Sequence, residues 1–517
     1  MTKKNSVSIL LAILIITTII SCKQKEQVTK RPNIIYIMTD DHGYQAMSCY
    51  NGKLNQTPNT DRIANEGVMF TRGFVTNSIC APSRAVMLTG KHSHVNGHIN
   101  NSQVFDGSQE TFPKLLQKAG YETAMIGKWH LESDPTGFDY WNILPGQGDY
   151  YNPDFIEMGE KSRVEGYVTN LITNFSLDWL KNRNSEKPFC LLLHHKAPHR
   201  CWMPDTAYLD MYNDVKFPLP DNFYDDYEGR QAAAEQRMHM KNFCPVNDLK
   251  MYDKEGEIQG PLRKYFKNQI DRLNPDQRAA WDKAYQKEIE YYKAANLEGN
   301  KLLEWNYQRY LEDYLRCIAS VDDNIGRVLD YLDESGLAEN TLVVYTSDQG
   351  FYLGEHGWFD KRFMYEESFR TPLLMRLPST IKKAKIDQLV QNIDFAPTFL
   401  DLAGVEIPEA IQGESLVPLL KGDTANWRES IYYHYYEYPG PHSVKRHYGI
   451  RTDRYKLIHF YNDINQWELY DLQEDPNEVN DLYGKEGYEE ITQSLFNQMV
   501  DLQTLYNDTT AVDMQLN

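Results

Sequence analysis

The sequence predicts an α/β protein: a large mixed, mostly parallel sheet sandwiched by helices, plus a small C-terminal domain built on an antiparallel sheet. Three observations predict it. Short apolar, β-branched runs at 33–38, 122–126, 189–194, 341–346 and 372–377 alternate with helical patterns at 84–89, 111–119, 171–182 and 310–335, the last closed by Gly336. Such alternation places helices on both faces of a sheet. The unusual polar clusters fall at the ends of these strands, where the chemistry of an open α/β sheet gathers. After Gly422 the rhythm changes to short strands at 431–436, 448–451, 455–460 and 468–472 with turns between, then a helix near 488–506.

Each segment has its own justification. Asn33-Ile34-Ile35-Tyr36-Ile37-Met38 reads as a buried strand leading into the polar loop Asp40-Asp41-His42-Gly43. The main domain runs over 31–423 and the small one over 424–517. Within the main domain, 204–305 departs from the alternation. It is rich in Asp, Tyr and Lys, with a helical segment near 276–297, and reads as an insertion beside a strand-end loop. At 517 residues, with 41% hydrophobic and 25% charged residues, the chain is ample for a large core. The net charge of −19 argues against nucleic acid and anionic membrane as partners. An anionic substrate then requires a locally basic cleft.

Lys3 and Lys4 precede an apolar run over 9–20 that is too short to span a bilayer. It ends Ile19-Ile20-Ser21-Cys22, which resembles a bacterial lipoprotein signal. Residues 1–21 would be cleaved, Cys22 acylated, and 22–30 would form a polar tether. The chain is then exported and meets a membrane only through that lipid. Of the seven cysteines, Cys22 takes the lipid; Cys190 and Cys317 lie in core-like stretches, and a full set of disulfides is not expected.

Four clusters carry chemistry. Asp40-Asp41 and Asp348-Gln349 each close a buried strand, and carboxylates with an amide oxygen are hard donors suited to Ca²⁺. Cys80-Ala81-Pro82-Ser83-Arg84 places a thiol at a helix start beside an arginine, which lowers a thiol pKa and leaves a plain cysteine nucleophile possible. Lys128 and His130, His199, and Lys361 end successive strands or loops and can surround one small tetrahedral anion.

Cys-X-Pro-Ser-Arg resembles the signature of the type I sulfatases, and the resemblance extends from Pro32 to about Leu482. It implies an alkaline-phosphatase-like fold and a Cys80 oxidised to formylglycine by a separate formylglycine-generating enzyme. It further implies that Asp40, Asp41, Asp348, Gln349 and the modified Cys80 hold Ca²⁺, with Gln349 standing where many relatives have Asn or His. Arg84 would steady the formylglycine hydrate, Lys128 and Lys361 bind sulfate oxygens, His130 partner the hydrate, and His199 protonate the departing sugar oxygen. In that scheme the hydrate attacks sulfur, and its second hydroxyl later expels sulfate, an exit unavailable to plain Ser or Cys.

The stretches His195-Lys196-Ala197-Pro198-His199-Arg200 and 432–460 are similar to the N-acetylglucosamine-6-sulfatase branch, which acts exo on heparan sulfate and related sulfated glycans. Sugar contacts are expected from Arg200, Trp202, Asp360, His442 and His447. Two other readings stand: a phosphatase or phosphonate monoester hydrolase of the same fold, separable by metal content, and a glycan-binding lipoprotein without turnover, whose mark would be a damaged catalytic set.

Overall fold

The computed structural model describes residues 31–50, 53–252 and 261–509; the signal segment, Cys22 and the tether lie outside the described residues. The main sheet contains β1 (Asn33–Thr39), β2 (Val68–Phe74), β3 (Glu122–Lys128), β4 (Tyr140–Leu144), β5 (Asp154–Glu157), β6 (Glu160–Arg163), β7 (Phe189–His194), β8 (Thr341–Ser347), β9 (Arg370–Arg376), β10 (Ala384–Ile386) and β11 (Val390–Gln391). The order is β10-β2-β9-β8-β1-β7-β3-β4-β5-β6, with β11 also pairing β2. β1 runs parallel to both β7 and β8, and β3 parallel to β7 and β4.

These strands alternate between two cores, as period-two geometry requires. Ile35, Ile37, Leu191, Leu193, Val343 and Tyr345 face one core, closed by the helices Val168–Asn182 and Gly299–Glu334. Ile34, Tyr36, Met38, Leu192, Leu342 and Val344 face the other, closed by the helices Cys80–Thr89, Phe112–Lys118 and Phe395–Leu402. Burial on both faces is why their sequences are apolar almost throughout.

One expectation changes, the end of the inserted segment. The sheet is mixed, as expected, and the strand over 372–377 is β9, which runs antiparallel to β2 and β8. Its first residue, Arg370, pairs with Phe74, the last residue of β2, so the loop containing Lys361 enters at the edge where the parallel strands end. The inserted segment does not finish at residue 305, because the helix Gly299–Glu334 passes through that point unbroken. The segment's own helix, Pro275–Ala295, starts from an Asn274–Gln277 capping box and buries Trp281 and Tyr285.

The second sheet is β12 (Ser430–Tyr435), β13 (His447–Thr452), β14 (Tyr455–Phe460) and β15 (Gln466–Asp471), antiparallel throughout. One face packs Tyr433, Tyr435, Ile458 and Phe460 against Phe74, Phe363, Tyr365 and Phe369 of the main body. The other face carries the helix Glu489–Leu505. The six described cysteines are all free.

Candidate active site

β1 and β8 are adjacent and in register from Asn33 and Thr341 to Thr39 and Ser347. Their next residues therefore emerge side by side, which joins Asp40-Asp41 to Asp348-Gln349. One ligand oxygen from each of Asp40, Asp41 and Asp348 lies within 4.8 Å of the others, all three carboxylates being buried. The helix Cys80–Thr89 starts at this point: Cys80 Sγ lies 3.4 Å from Asp40 Oδ1, and the thiol is fully buried. Gly350 permits the close approach of β9, because a Cβ there would sit 2.3 Å from the Arg370 carbonyl oxygen.

Three cations match the three carboxylates. Arg84 donates from Nε and Nη2 to Asp348 Oδ2 at 3.1 and 2.9 Å. Lys361 Nζ donates to both oxygens of Asp41, at 2.6 and 2.8 Å, and Lys128 Nζ donates to Asp40 Oδ2. The centre is thus balanced locally despite the chain's acidity.

Burial divides the carboxylates. It raises Asp41 to about 7 against the pull of Lys361, and raises Asp348 to about 6 with Asp40 adding to the effect. At Asp40 burial acts in the same sense but is outweighed by Lys128, His199, Arg84 and Lys361, so this carboxyl stays well below its ordinary range. Burial also lifts the Cys80 thiol well above its ordinary value, against the pull of Lys361 and Lys128. The plain-thiolate reading left open by the sequence is therefore disfavoured.

A divalent cation fits this donor set. The carboxylates converge where mutual repulsion is costly, and the Gln349 amide oxygen is buried without a hydrogen-bond partner among the described residues. Asp40, Asp41, Asp348 and Gln349 would hold the ion, with the side chain of residue 80 facing it.

Both histidines are oriented by a single hydrogen bond. His199 Nδ1 lies 2.6 Å from the Arg200 carbonyl oxygen, which can only accept, so Nε2 faces the centre, 3.9 Å from Asp41 Oδ2. His130 is set by Gln147, a residue that sequence reasoning missed. Lys128 Nζ, a pure donor, lies 2.6 Å from Gln147 Oε1. The Gln147 amide nitrogen must then donate to His130 Nε2 at 3.0 Å, which leaves the ring proton on Nδ1. Nδ1 is buried and without a partner among the described residues, and burial with Lys128 holds the ring neutral.

Gln147→Glu should reverse this arrangement, because a carboxylate can only accept and requires Nε2–H. We expect kcat to fall about 100-fold with KM little changed, a usual size for one misplaced proton donor. Nitrogen NMR of the His130 ring should show the proton moved to Nε2. An unchanged tautomer with unchanged kcat would reject the role.

Of the residues expected to contact sugar, three form a wall at the mouth of the centre. Arg200 is held bidentate by Asp248 at 2.7 Å and lies over the Phe359 ring. His442 meets the same ring edge-on, and its Nε2 is 3.1 Å from Asp360 Oδ2. Asp41, His130 and Asp360 all have left-handed backbone, at φ 69°, 55° and 76°, a strained conformation that tends to gather at functional sites.

Trp202 and His447 do not join this wall. Trp202 is 0% exposed and packs on Tyr310, Phe243 and Phe359. His447 is equally buried among Phe363, Tyr433 and Phe460, accepting from the Met364 amide and lying 2.8 Å from the Lys445 carbonyl. Both are packing residues.

Known proteins resemble the chain along nearly its whole length. Residues 32–405 match the sulfatase family model, and 354–505 match the model described as N-sulphoglucosamine sulphohydrolase, C-terminal. The chain is 51% identical to an N-acetylglucosamine-6-O-sulfatase of Bacteroides thetaiotaomicron, over 98% of this chain and 92% of that one. It is 28% identical to the human N-acetylglucosamine-6-sulfatase, covering 79% of this chain and 68% of the relative. A solved structure in complex with its substrate D-glucosamine-2-N,6-O-disulfate superposes with TM-score 0.91 at 51% identity, over 94% of this chain and all of that one. A phosphonate monoester hydrolase of Agrobacterium radiobacter shares the alkaline-phosphatase-like fold alone, with TM-score 0.68 at 18% identity over 94% of this chain and 98% of that one. With its cysteine, basic clamp and carboxylate cluster assembled at one sheet edge, this chain belongs to the sulfatase family, the hydrolases of sulfate esters.

Proposed function

We propose that the protein removes the 6-O-sulfate from N-acetylglucosamine or N-sulfoglucosamine at the non-reducing end of heparan-type or mucin-type glycans. The observation that carries this reading is the 51% identity to an N-acetylglucosamine-6-O-sulfatase along nearly the whole chain. The wall of Arg200, Asp360 and His442 supports it, since it offers donors and an acceptor to sugar hydroxyls beside the clamp.

Sulfatases use a formylglycine and a divalent metal. We assign the metal as Ca²⁺ on the hard-oxygen donor set, and the formylglycine to residue 80, matured by a formylglycine-generating enzyme. The metal supplies positive charge to an anionic ester, and the formylglycine supplies the nucleophilic hydroxyl. The remaining work falls to the chain's own residues. Lys128 and Lys361 are fixed before substrate arrives, as electrostatic stabilisation requires. Arg84 anchors Asp348 and, through Nη1, the Lys128 carbonyl oxygen at 2.7 Å. His130 keeps its proton on the buried Nδ1. His199 donates Nδ1–H to the Arg200 carbonyl and is held neutral by burial, so its Nε2 must take up a proton when the anionic ester binds before it can hand one to the leaving sugar oxygen. Export and acylation at Cys22 are part of the proposal, supported by the N-terminal sequence.

The test is sulfate release from a panel of monosulfated sugars by protein whose residue 80 is shown by peptide mass to be converted. We expect selective release from N-acetylglucosamine 6-sulfate. Converted protein that is inactive on every member would reject the exo reading, and a second bound metal with phosphate-ester turnover would favour the phosphatase reading.

A further inference from the structure

Beside the catalytic centre lies an open cavity of about 530 Å³, bordered by Asn100, Ser102, Tyr436, Glu437, Tyr438 and Tyr461, a size ordinary for a small-molecule site. No residue of the catalytic set borders it, yet it shares walls with the centre on two sides. On one side Asn101, between Asn100 and Ser102, accepts a hydrogen bond at 3.0 Å from the amide of Ala81, next to Cys80. On the other, Glu437 Oε2 accepts from Arg362 Nη1 at 2.5 Å, and Arg362 Nε donates to Asp360 Oδ1 at 3.1 Å. Asp360 is the partner of His442 in the sugar-facing wall.

The chemistry of the lining is that of a sugar site without free charge. Arg446 is pinned by the carbonyl oxygens of Tyr436 and Tyr438 at 3.0 and 3.1 Å and pairs with Asp463 at 3.2 Å. Lys445 pairs with Glu235 at 2.9 Å and donates to the Tyr438 hydroxyl at 2.9 Å. Arg362 and Glu437 neutralise each other. Tyr461 is buried, its hydroxyl bonding the His434 imidazole at 2.7 Å. The aromatic surface left to the cavity is that of half-buried Tyr436, which stacks on the same imidazole at 3.8 Å, and of half-buried Tyr438, whose ring is held by the Lys445 ammonium 4.5 Å from its centre. Rigid aromatic surface with polar edges suits the C–H-rich face of a pyranose.

We infer that this cavity is a second sugar subsite, holding the glycan residue linked to the 6-sulfated hexosamine and recognising it by stacking and hydrogen bonds rather than ion pairs. The inference rests on the functional reading above. The test compares kcat/KM on the 6-sulfated monosaccharide and on disaccharides carrying it at the non-reducing end, for converted wild type, Tyr438→Ala and Tyr438→Phe.

For wild type we expect a disaccharide advantage of about tenfold, worth about 1.4 kcal/mol. It should be unaffected by raising ionic strength from about 0.05 to about 0.3 M. Tyr438→Ala should erase the advantage and leave monosaccharide turnover unchanged, while Tyr438→Phe should keep it. Monosaccharide release without a disaccharide advantage, or equal loss on both substrates in Tyr438→Ala, overturns the subsite alone. An advantage that collapses with salt overturns the uncharged mode of recognition. Release from neither substrate overturns the functional reading and the subsite with it.

Discussion

Protein whose Cys80 has not been converted should fold and release no sulfate, with activity at least about 10⁴-fold below converted enzyme, the scale of losing a nucleophile. The expectation follows from where the thiol sits. Position at a helix start lowers a thiol pKa, but Cys80 is fully buried and 3.4 Å from the Asp40 carboxylate. Burial dominates and lifts it well above the ordinary thiol range. In the metal-free centre that direction favours the protonated thiol, a poor nucleophile. Cys80→Ala should be equally inactive and keep its cooperative unfolding transition. The measurement is sulfate release plotted against the converted fraction found by peptide mass. A line through zero is expected; turnover that scales with total protein would show that the thiol itself attacks.

The contrast between what the sequence reveals and what it hides follows burial and reach. β1, β3, β7 and β8 were legible because strands buried on both faces must be apolar. The polar residues immediately after them then had to lie at the functional edge. β6 was not legible: Glu160-Lys161-Ser162-Arg163 is exposed at every position and carries no apolar period. Gln147 sits in the turn Pro145-Gly146-Gln147-Gly148, where nothing in the spacing connects it to His130. Only parallel pairing of β3 with β4 brings the two together. Asp248, which holds Arg200, lies in the inserted segment with no periodic signal of its own.

Adjacency also misleads. Trp202 follows Arg200 by two residues, yet its backbone turns at φ 48° and sends the ring into the core while Arg200 stays at the mouth. His447 is expected from the sequence to contact sugar, but it begins β13 opposite Tyr435 and Phe460, and that register fixes it on the face packed against the main body.

Removing divalent metal should lower the unfolding temperature by at least about 3 °C, with a pH dependence of defined sign. A ligand present at 100 times its Kd adds about 2.7 kcal/mol to the folded state, and a large domain converts that into a few degrees. In the metal-free centre Asp41 and Asp348 are pushed up to about 7 and about 6 by burial, above the ordinary carboxylate value near 3.8. Carboxyl groups whose folded pKa is raised stabilise the fold fully at low pH, and that contribution is lost as pH climbs through the folded values. Chelated protein should therefore lose stability between about pH 4 and 7. Metal-loaded protein, whose carboxylates are already ionised, should not follow it. The gap between the two forms widens with pH and is smallest near pH 4.

Asp41→Asn separates this metal effect from general screening by salt. The substitution keeps the side-chain shape but removes one of the converging charges and the partner of Lys361. Millimolar Ca²⁺ should then no longer raise the unfolding temperature, and kcat/KM on N-acetylglucosamine 6-sulfate should fall at least about 1000-fold, or about 4 kcal/mol of transition-state stabilisation. Calorimetric unfolding with Ca²⁺, Mg²⁺ and chelator, at pH 4.5 and 7.5, distinguishes the outcomes. A larger shift with Ca²⁺ than with Mg²⁺ fits a flexible shell of carboxylate and amide oxygens. A shift retained in full by Asp41→Asn would move the metal away from the three carboxylates. Wild-type protein indifferent to chelation at both pH values would show that Arg84, Lys128 and Lys361 neutralise the cluster unaided.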